Sequence, residues 1–279
     1  MRISICMLTI SLLSVGHWIP VMAQSREINE TVPLSAGSNL VIDADKGSIK
    51  LTSWDQEKVE IYARIEAPRD VDREYAEEVV AATRIDIESD AGSLRIRTNF
   101  DDIPYEDDWR GRDRNRRIPD VHYEIRAPRI LNMDLNIDRN RATVEGFEGA
   151  FRIETDRCDV DASDWIGDIQ LNMDRGELRL VRASGSLDIE TDRTDVRIEM
   201  LGLTGNSRFD ADRGDVEISL PEAQGFSLRA DVGNRGDFHS DFAVTTQSLR
   251  KFKIEGVVNG GGPELRFDGD RATFRLRHN

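Results

Sequence analysis

The chain has little of what metal, redox or nucleophilic chemistry draws on. Its 279 residues include 2 cysteines and 4 histidines. Aromatic residues make up 6%, and the hydrophobic class only 38%, against a usual ~45–50% for that class. Long apolar runs are missing after the first segment, which excludes a polytopic membrane protein. Basic residues are in deficit, with 38 Lys+Arg against 53 Asp+Glu and a net charge of −15. General nucleic-acid binding needs the opposite balance, because phosphates are neutralised by Lys and Arg in surplus. Ile, Leu and Val nevertheless recur too regularly for plain disorder. What remains is an acidic, weakly hydrophobic, folded protein.

The one apolar run is at the start. Residues 1–23 read as a secretory signal peptide, with Arg2 as the positive region and Ile3 to Val15 as the apolar run. Pro20 interrupts any extension, so the run is short of the ~20 residues a bilayer needs. Val21-Met22-Ala23 offers a cleavage site, and residues 24–29 follow as a short linker. Cleavage removes Arg2 and Cys6, leaving no transmembrane segment and Cys158 as the one thiol. A lone thiol makes no internal disulfide, so packing and backbone hydrogen bonds must hold the fold.

The rest is a repeat. Asp-Arg recurs at Asp138-Arg139, Asp156-Arg157, Asp174-Arg175 and Asp192-Arg193, each 18 residues from the last. Further copies stand at Asp212-Arg213, 20 residues on, and at Asp270-Arg271. Counting each Asp as position 0, apolar residues sit at −5, −3 and −1, then at +4 and +6. Around Asp174 these are Ile169, Leu171 and Met173, then Leu178 and Leu180. Earlier copies centre on Asp45 and Asp90, and Asp231 marks a degenerate ninth whose second half does not align. Period-2 alternation means strands with one buried face. Each repeat is therefore expected to be strand, corner, strand. The Asp caps the corner as an Asx-type turn, and Gly47, Gly92, Asn140, Gly176 or Gly214 at +2 eases the bend. Phe147, Trp165, Ala183 and Leu201 are expected to plug the core at the second bend, where Gly149, Gly167 and Gly185 turn the chain.

The fold class predicted is all-β: a single-domain β-solenoid, parallel β-helix-like, over residues 30–279, with two-strand coils of 18 residues. An antiparallel sandwich of hairpins competes, but a constant period with like positions recurring favours the solenoid. A three-sided helix needs an apolar residue every sixth position, and Asp159 and Glu177 break that rule. Residues 72–83 read as one short inserted helix, with Tyr75, Val79 and Val80 on one face. Residues 99–120 form a charged insertion, acidic first and then basic.

These motifs carry a resemblance. GSIKLTSWDQEKVEIYARIEA (47–67), RIDIESDAGSLRIRT (84–98), VHYEIRAPRI (121–130), the 18-residue repeats and VVNGGGPELRFDGDRATFRLR (257–277) resemble the bacterial β-strand-repeat family of unknown function labelled as presumed adhesins. The resemblance implies an exported, non-catalytic β-solenoid. Where that family has Asn-Gly or Ser-Gly at the corner, this chain has Asp-Arg, with Cys158 and Thr194 at positions expected to be Gly.

For function, the corner ladder comprises Asp45, Asp90, Asp138, Asp156, Asp174, Asp192, Asp212 and Asp270 with Arg139, Arg157, Arg175, Arg193, Arg213 and Arg271. Stacked Asp residues bind calcium in some β-rolls. Here a base follows nearly every Asp, which cancels the field and favours a structural charge ladder without a metal. The outer column Asn136, Glu154, Asn172, Glu190, Asp210 alternates amide with acid and spares like-charge contacts. The candidate binding residues are Tyr105 and Trp109, which can stack on sugar rings, with Arg110, Arg112, Arg114, Arg116 and Arg117, which attract anionic groups. Long insertions carry function more often than their share. Cys158 lacks a His partner, the histidines lack metal-ligand spacing, and no catalytic pair or cofactor is expected.

The expectation is therefore a non-catalytic adhesive, structural or binding module of the bacterial envelope, located in the periplasm or at the cell surface. Its partner would be a cell-surface glycan or an envelope protein. Two other classes compete: a periplasmic accessory that binds a signalling or envelope partner, and a β-helix carbohydrate-active enzyme. Against the enzyme, the acids point outward in columns and do not converge on a cleft.

Overall fold

The computed structural model describes residues 25–69, 71–103 and 117–279. The expected signal segment therefore lies outside the described residues. Strands β1 (Ser25–Pro33), β2 (Ser38–Ala44), β3 (Gly47–Trp54) and β4 (Lys58–Glu66) come first, then helix α1 (Arg73–Ala82). β5 (Arg84–Asp90), β6 (Ser93–Asn99), β7 (Asp120–Pro128), β8 (Leu131–Ile137) and β9 (Asn140–Glu145) follow. Four long strands carry the regular repeats: β10 (Phe151–Ser163), β11 (Ile169–Gly185), β12 (Leu187–Leu203) and β13 (Ser207–Leu220). Then come β14 (Phe226–Asp231), β15 (Asp237–Ser240), β16 (Thr245–Arg250), β17 (Lys253–Val258) and β18 (Glu264–His278).

Like positions stack on like, as the period requires. In the parallel ladders Phe151 faces Ile169, which faces Leu187, and Val160 faces Leu178, which faces Val196. The first half of β10 pairs with β8 and its second half with β9. Each repeat is thus one continuous bent strand that contributes to two walls. Inward side chains from both walls form a single core; Leu171, Ile189, Phe209 and Phe267 from one wall and Leu178, Val196, Val216 and Phe274 from the other are all buried. Burying each such side chain stabilises by about 1.5–3 kcal/mol. Since every second residue faces water, a core this thin needs only a modest hydrophobic fraction.

At the second bend Trp165 is fully buried and stacks on Phe151, ring centroids 4.3 Å apart. Its indole N–H donates to the Gly149 carbonyl at 3.1 Å. Gly167 has a φ of +137°, and a Cβ there would meet the Gly149 carbonyl oxygen at 2.1 Å, so the turn admits no side chain. Phe147 and Ala183 are buried plugs as expected, but Leu201 is 58% exposed. Met200 takes its place opposite Ala183, after a register shift in the β11–β12 ladder. In that ladder Val181 faces Glu199 and Ala183 faces Met200, so Arg182 has no counterpart in β12 and the plug falls one residue earlier than the repeat count gives.

Spatial order departs from chain order at both ends. β6 and β7 make the end rung, outside β2 and β3, which in turn pair with β8 and β9. β18 lies between β13 and the pair β14 and β15. Among the described residues nine stacked rungs result, a rod of about 40 Å at ~4.8 Å per strand. Antiparallel strands close the ends. β5 adds to β6, β4 to β7 and β1 to β4 at one end, and β17 adds to β14 and β16 to β17 at the other. Helix α1 is N-capped by Asp72, whose carboxylate accepts from the Tyr75 N–H at 2.9 Å. It buries Tyr75, Ala76, Val79 and Val80.

Three expectations are corrected here. Asp90 ends an antiparallel hairpin strand and belongs to no solenoid corner; Leu94 and Ile96 of β6 continue into β7 across the insertion. Asp231 faces Asp268, so it sits two positions before a corner. The missing second half of that rung is β15, whose Phe238 faces Phe274. Finally, residues 25–29, read as linker, belong to β1 and pair with β4.

Candidate functional site

Five of the corner arginines each bridge two rungs. Arg175 meets Asp174 on its own rung at 3.1 Å and Asp156 on the rung before at 2.9 Å. Arg213 likewise meets Asp212 at 3.2 Å and Asp192 at 3.1 Å. Arg157 reaches Asp156 and Asp138, Arg193 reaches Asp192 and Asp174, and Arg271 reaches Asp270 and Asp212, within 3.8 Å in every case. Arg139 holds Asp138, and Arg235, which the repeat pattern missed, closes the far end on Asp270. At the near end Lys46 turns from Asp45 to Asp120, 3.1 Å away. The hydrogen bonds of these corner carboxylates come from arginine, so the expected Asx-type cap gives way to a charge ladder. Desolvation opposes ionisation of Asp156 and Asp192, but the neighbouring arginines outweigh it and lower both pKa values.

The outer column is also as read. Asn136, Glu154, Asn172, Glu190 and Asp210 face one another rung by rung. Asn136 extends it by donating to Asp43 at 2.9 Å.

The insertion hangs where the end rung would have its corner, between β6 and β7. Tyr105, Trp109, Arg110, Arg112, Arg114 and Arg116 lie outside the described residues. Arg117 is described and exposed. Both feet of the insertion are anchored: Phe100 and Ile103 are buried, and Lys46 donates to the Ile118 carbonyl at 3.5 Å.

Cys158 is 2% exposed, in register with Gly176. Its sulfur accepts from the Asn140 N–H at 3.3 Å, and burial pushes the thiol pKa up. It is a corner residue with its side chain turned inward, and a poor nucleophile. Thr194 does the same in the next register position, its hydroxyl donating to the Met173 carbonyl at 3.3 Å. Sequence spacing gave no hint of one constellation. Ser48 lies 2.8 Å from His122 Nδ1, and His122 Nε2 lies 3.8 Å from Glu66. The order matches a nucleophile, base and acid, but Arg64 already holds Glu66 at 3.0 Å. Ser48 also sits inside a parallel ladder, where backbone N–H groups are committed to strand pairing. Among the described residues no cluster of three or more His, Cys, Asp or Glu could hold a metal ion.

Two of the grooves on the surface of the described residues bear on binding. One, of about 430 Å³, crosses the corner beside Asp43, Asp45, Asp138, Glu154 and Asp156, with Arg97 as its base. The other, of about 390 Å³, lies on the outward face of β1, β4, β7 and β3. Asn29, Thr31, Lys50, Thr52, Glu60, Tyr62, Glu124 and Arg126 line it. The sequence reading passed over these residues because outward strand positions look alike until the register is known.

A family model described as Toastrack DUF4097 matches residues 13–262. No curated protein matches the chain. Among solved structures, a presumed cell adhesion protein from Clostridium sporogenes is 10% identical over 91% of this chain and 100% of its own, with a TM-score of 0.34. A presumed adhesin from Bacteroides fragilis is 12% identical over 90% of this chain and 97% of its own, with a TM-score of 0.37. A presumed lipid binding protein from Parabacteroides distasonis is 10% identical over 90% and 96%, with a TM-score of 0.27.

Proposed function

The chain belongs to the Toastrack DUF4097 family, and from that premise we propose that it is an exported, non-catalytic binding or structural module of the bacterial envelope. The observation that carries this reading is how the described residues are used. They build one uninterrupted core, and their outward charges pair along the rod. One departure from the repeat is a charged insertion whose two feet are anchored on the end rung. Rigid placement of a charged loop suits presentation to a partner. The reading includes cleavage of residues 1–23 and a contact through Arg110, Arg112, Arg114, Arg116 and Arg117 with an anionic envelope component, either a glycan or a protein.

Two measurements test it. Fractionation is expected to find the processed chain in the periplasm or at the cell surface; a cytoplasmic, unprocessed chain overturns the export reading. Replacing the five arginines by serine is expected to abolish retention on isolated envelopes while the chain still folds and melts cooperatively. Unchanged retention removes the insertion from the mechanism.

A further inference from the structure

We propose that the trough across β1, β4, β7 and β3 is a binding site for an uncharged saccharide chain. This goes beyond the function proposed above, because the trough does not involve the insertion.

The argument begins with the register. Asn29, Tyr62, Glu124 and Lys50 face one another across the four strands as one row, and Thr31, Glu60, Arg126 and Thr52 as the next. Strand pairing sends every one of these side chains outward, and all line the groove. Three strand spacings make the row about 14 Å across, room for a short oligosaccharide.

The charges nearly balance, with Glu30, Glu60 and Glu124 against Lys50 and Arg126, in a chain where acids outnumber bases 53 to 38. Glu60 is paired with Arg126, and Glu124 stands directly opposite Lys50. Only Glu30, at the rim, is left over. With a surplus of one carboxylate the trough carries little net field, in contrast to the acid-rich groove at the corner. It offers planar amide, carboxylate and guanidinium groups with threonine hydroxyls. These are the donors and acceptors that a polyhydroxylated ligand satisfies.

Tyr62 supplies the apolar element. Its ring lies half-exposed in the centre of the face. An aromatic ring gives contact area at little entropic cost, having two rotatable side-chain bonds. Some of the neighbouring groups are preset. Arg126 packs 4.8 Å over the Trp54 ring, and Lys58 holds Glu60 at 3.0 Å. A few well-placed polar groups around an apolar contact define a ligand site.

Affinity electrophoresis of the purified chain tests this, using gels cast with soluble β-glucan, xylan or mannan and a parallel gel with anionic alginate. At least one neutral polymer is expected to retard the chain. Tyr62→Ala should weaken that retardation at least about tenfold, and Glu124→Ala and Lys50→Ala should weaken it too. The two latter residues are exposed, so these variants keep the test valid if Tyr62→Ala fails to fold. The five-arginine variant should be retarded like the wild type, which separates failure of this site from failure of the insertion. Retardation by alginate alone, by no neutral polymer, or undiminished in the folded trough variants overturns the proposal.

Discussion

Cys158 shares its register position with Gly176, and two physical solutions to one corner stand side by side. At Gly176 the backbone takes a φ of +131°, and a Cβ would lie 1.8 Å from the Cys158 carbonyl oxygen. At Cys158 the side chain itself points inward and meets backbone groups. A thiol buried this way, with its pKa raised, should resist alkylation in the folded protein. Maleimide labelling is expected to proceed no faster than global unfolding; rapid stoichiometric labelling at pH 8 contradicts the buried placement. Trp165 was legible as a plug because it is the bulkiest residue at a fixed repeat position. Trp165→Ala should cost about 3–5 kcal/mol in urea unfolding. Leu201 was misread for an equally simple reason: β12 has no counterpart of Arg182, so the plug falls one residue early, and only packing shows Met200 filling the space.

At the scale of the element, the corner ladder makes its own acid and salt signature. The pKa values of Asp156 and Asp192 are lowered, so their contribution is present above the ordinary carboxylate pKa of about 3.9. It is lost as pH falls through their depressed folded values. Arg175→Ala should therefore lower the melting temperature at neutral pH and low salt, and the deficit should shrink in molar salt, where exposed pairs are screened. A deficit indifferent to salt points to lost packing of the arginine stem. Asp134 has the opposite sign. Burial raises its pKa against the pull of Arg152, and one carboxylate oxygen is buried without a hydrogen-bond partner. Its favourable contribution is complete below the unfolded pKa and disappears as pH rises through the folded one. Asp134→Asn should accordingly raise the melting temperature at pH 7, and the gain should vanish in acid.

The whole molecule behaves as a stack in which each rung touches only its neighbours. Deleting residues 169–186 removes one 18-residue period, and like positions would still fall on like. Circular dichroism and a cooperative melt are expected to show a folded, shorter rod. Removing β18 is a different operation on a similar number of residues. Its Leu265, Phe267, Phe274 and Leu276 are fully buried, and it lies between β13 and β14. That deletion should give an aggregating chain, because it opens two strand edges inside the stack. If both deletions fold equally well, the inserted position of β18 has no energetic weight.

By itself the sequence determined the all-β class, the 18-residue coil, which residues face the core, and the pairing of Asp with Arg at the corners. All of these are local periodicities, and a period of two within strands and eighteen between them fixes which side chains can stack. Only the tertiary structure decided the order of the rungs. β6 and β7 lie outside β2 and β3, and β18 lies inside β14, because nothing in a repeat says which copy a given copy will pair with. The same holds for the outer faces. Asn29, Tyr62, Glu124 and Lys50 come from four distant stretches of chain. They form one surface because strand pairing, a long-range hydrogen-bond pattern, puts them in a row.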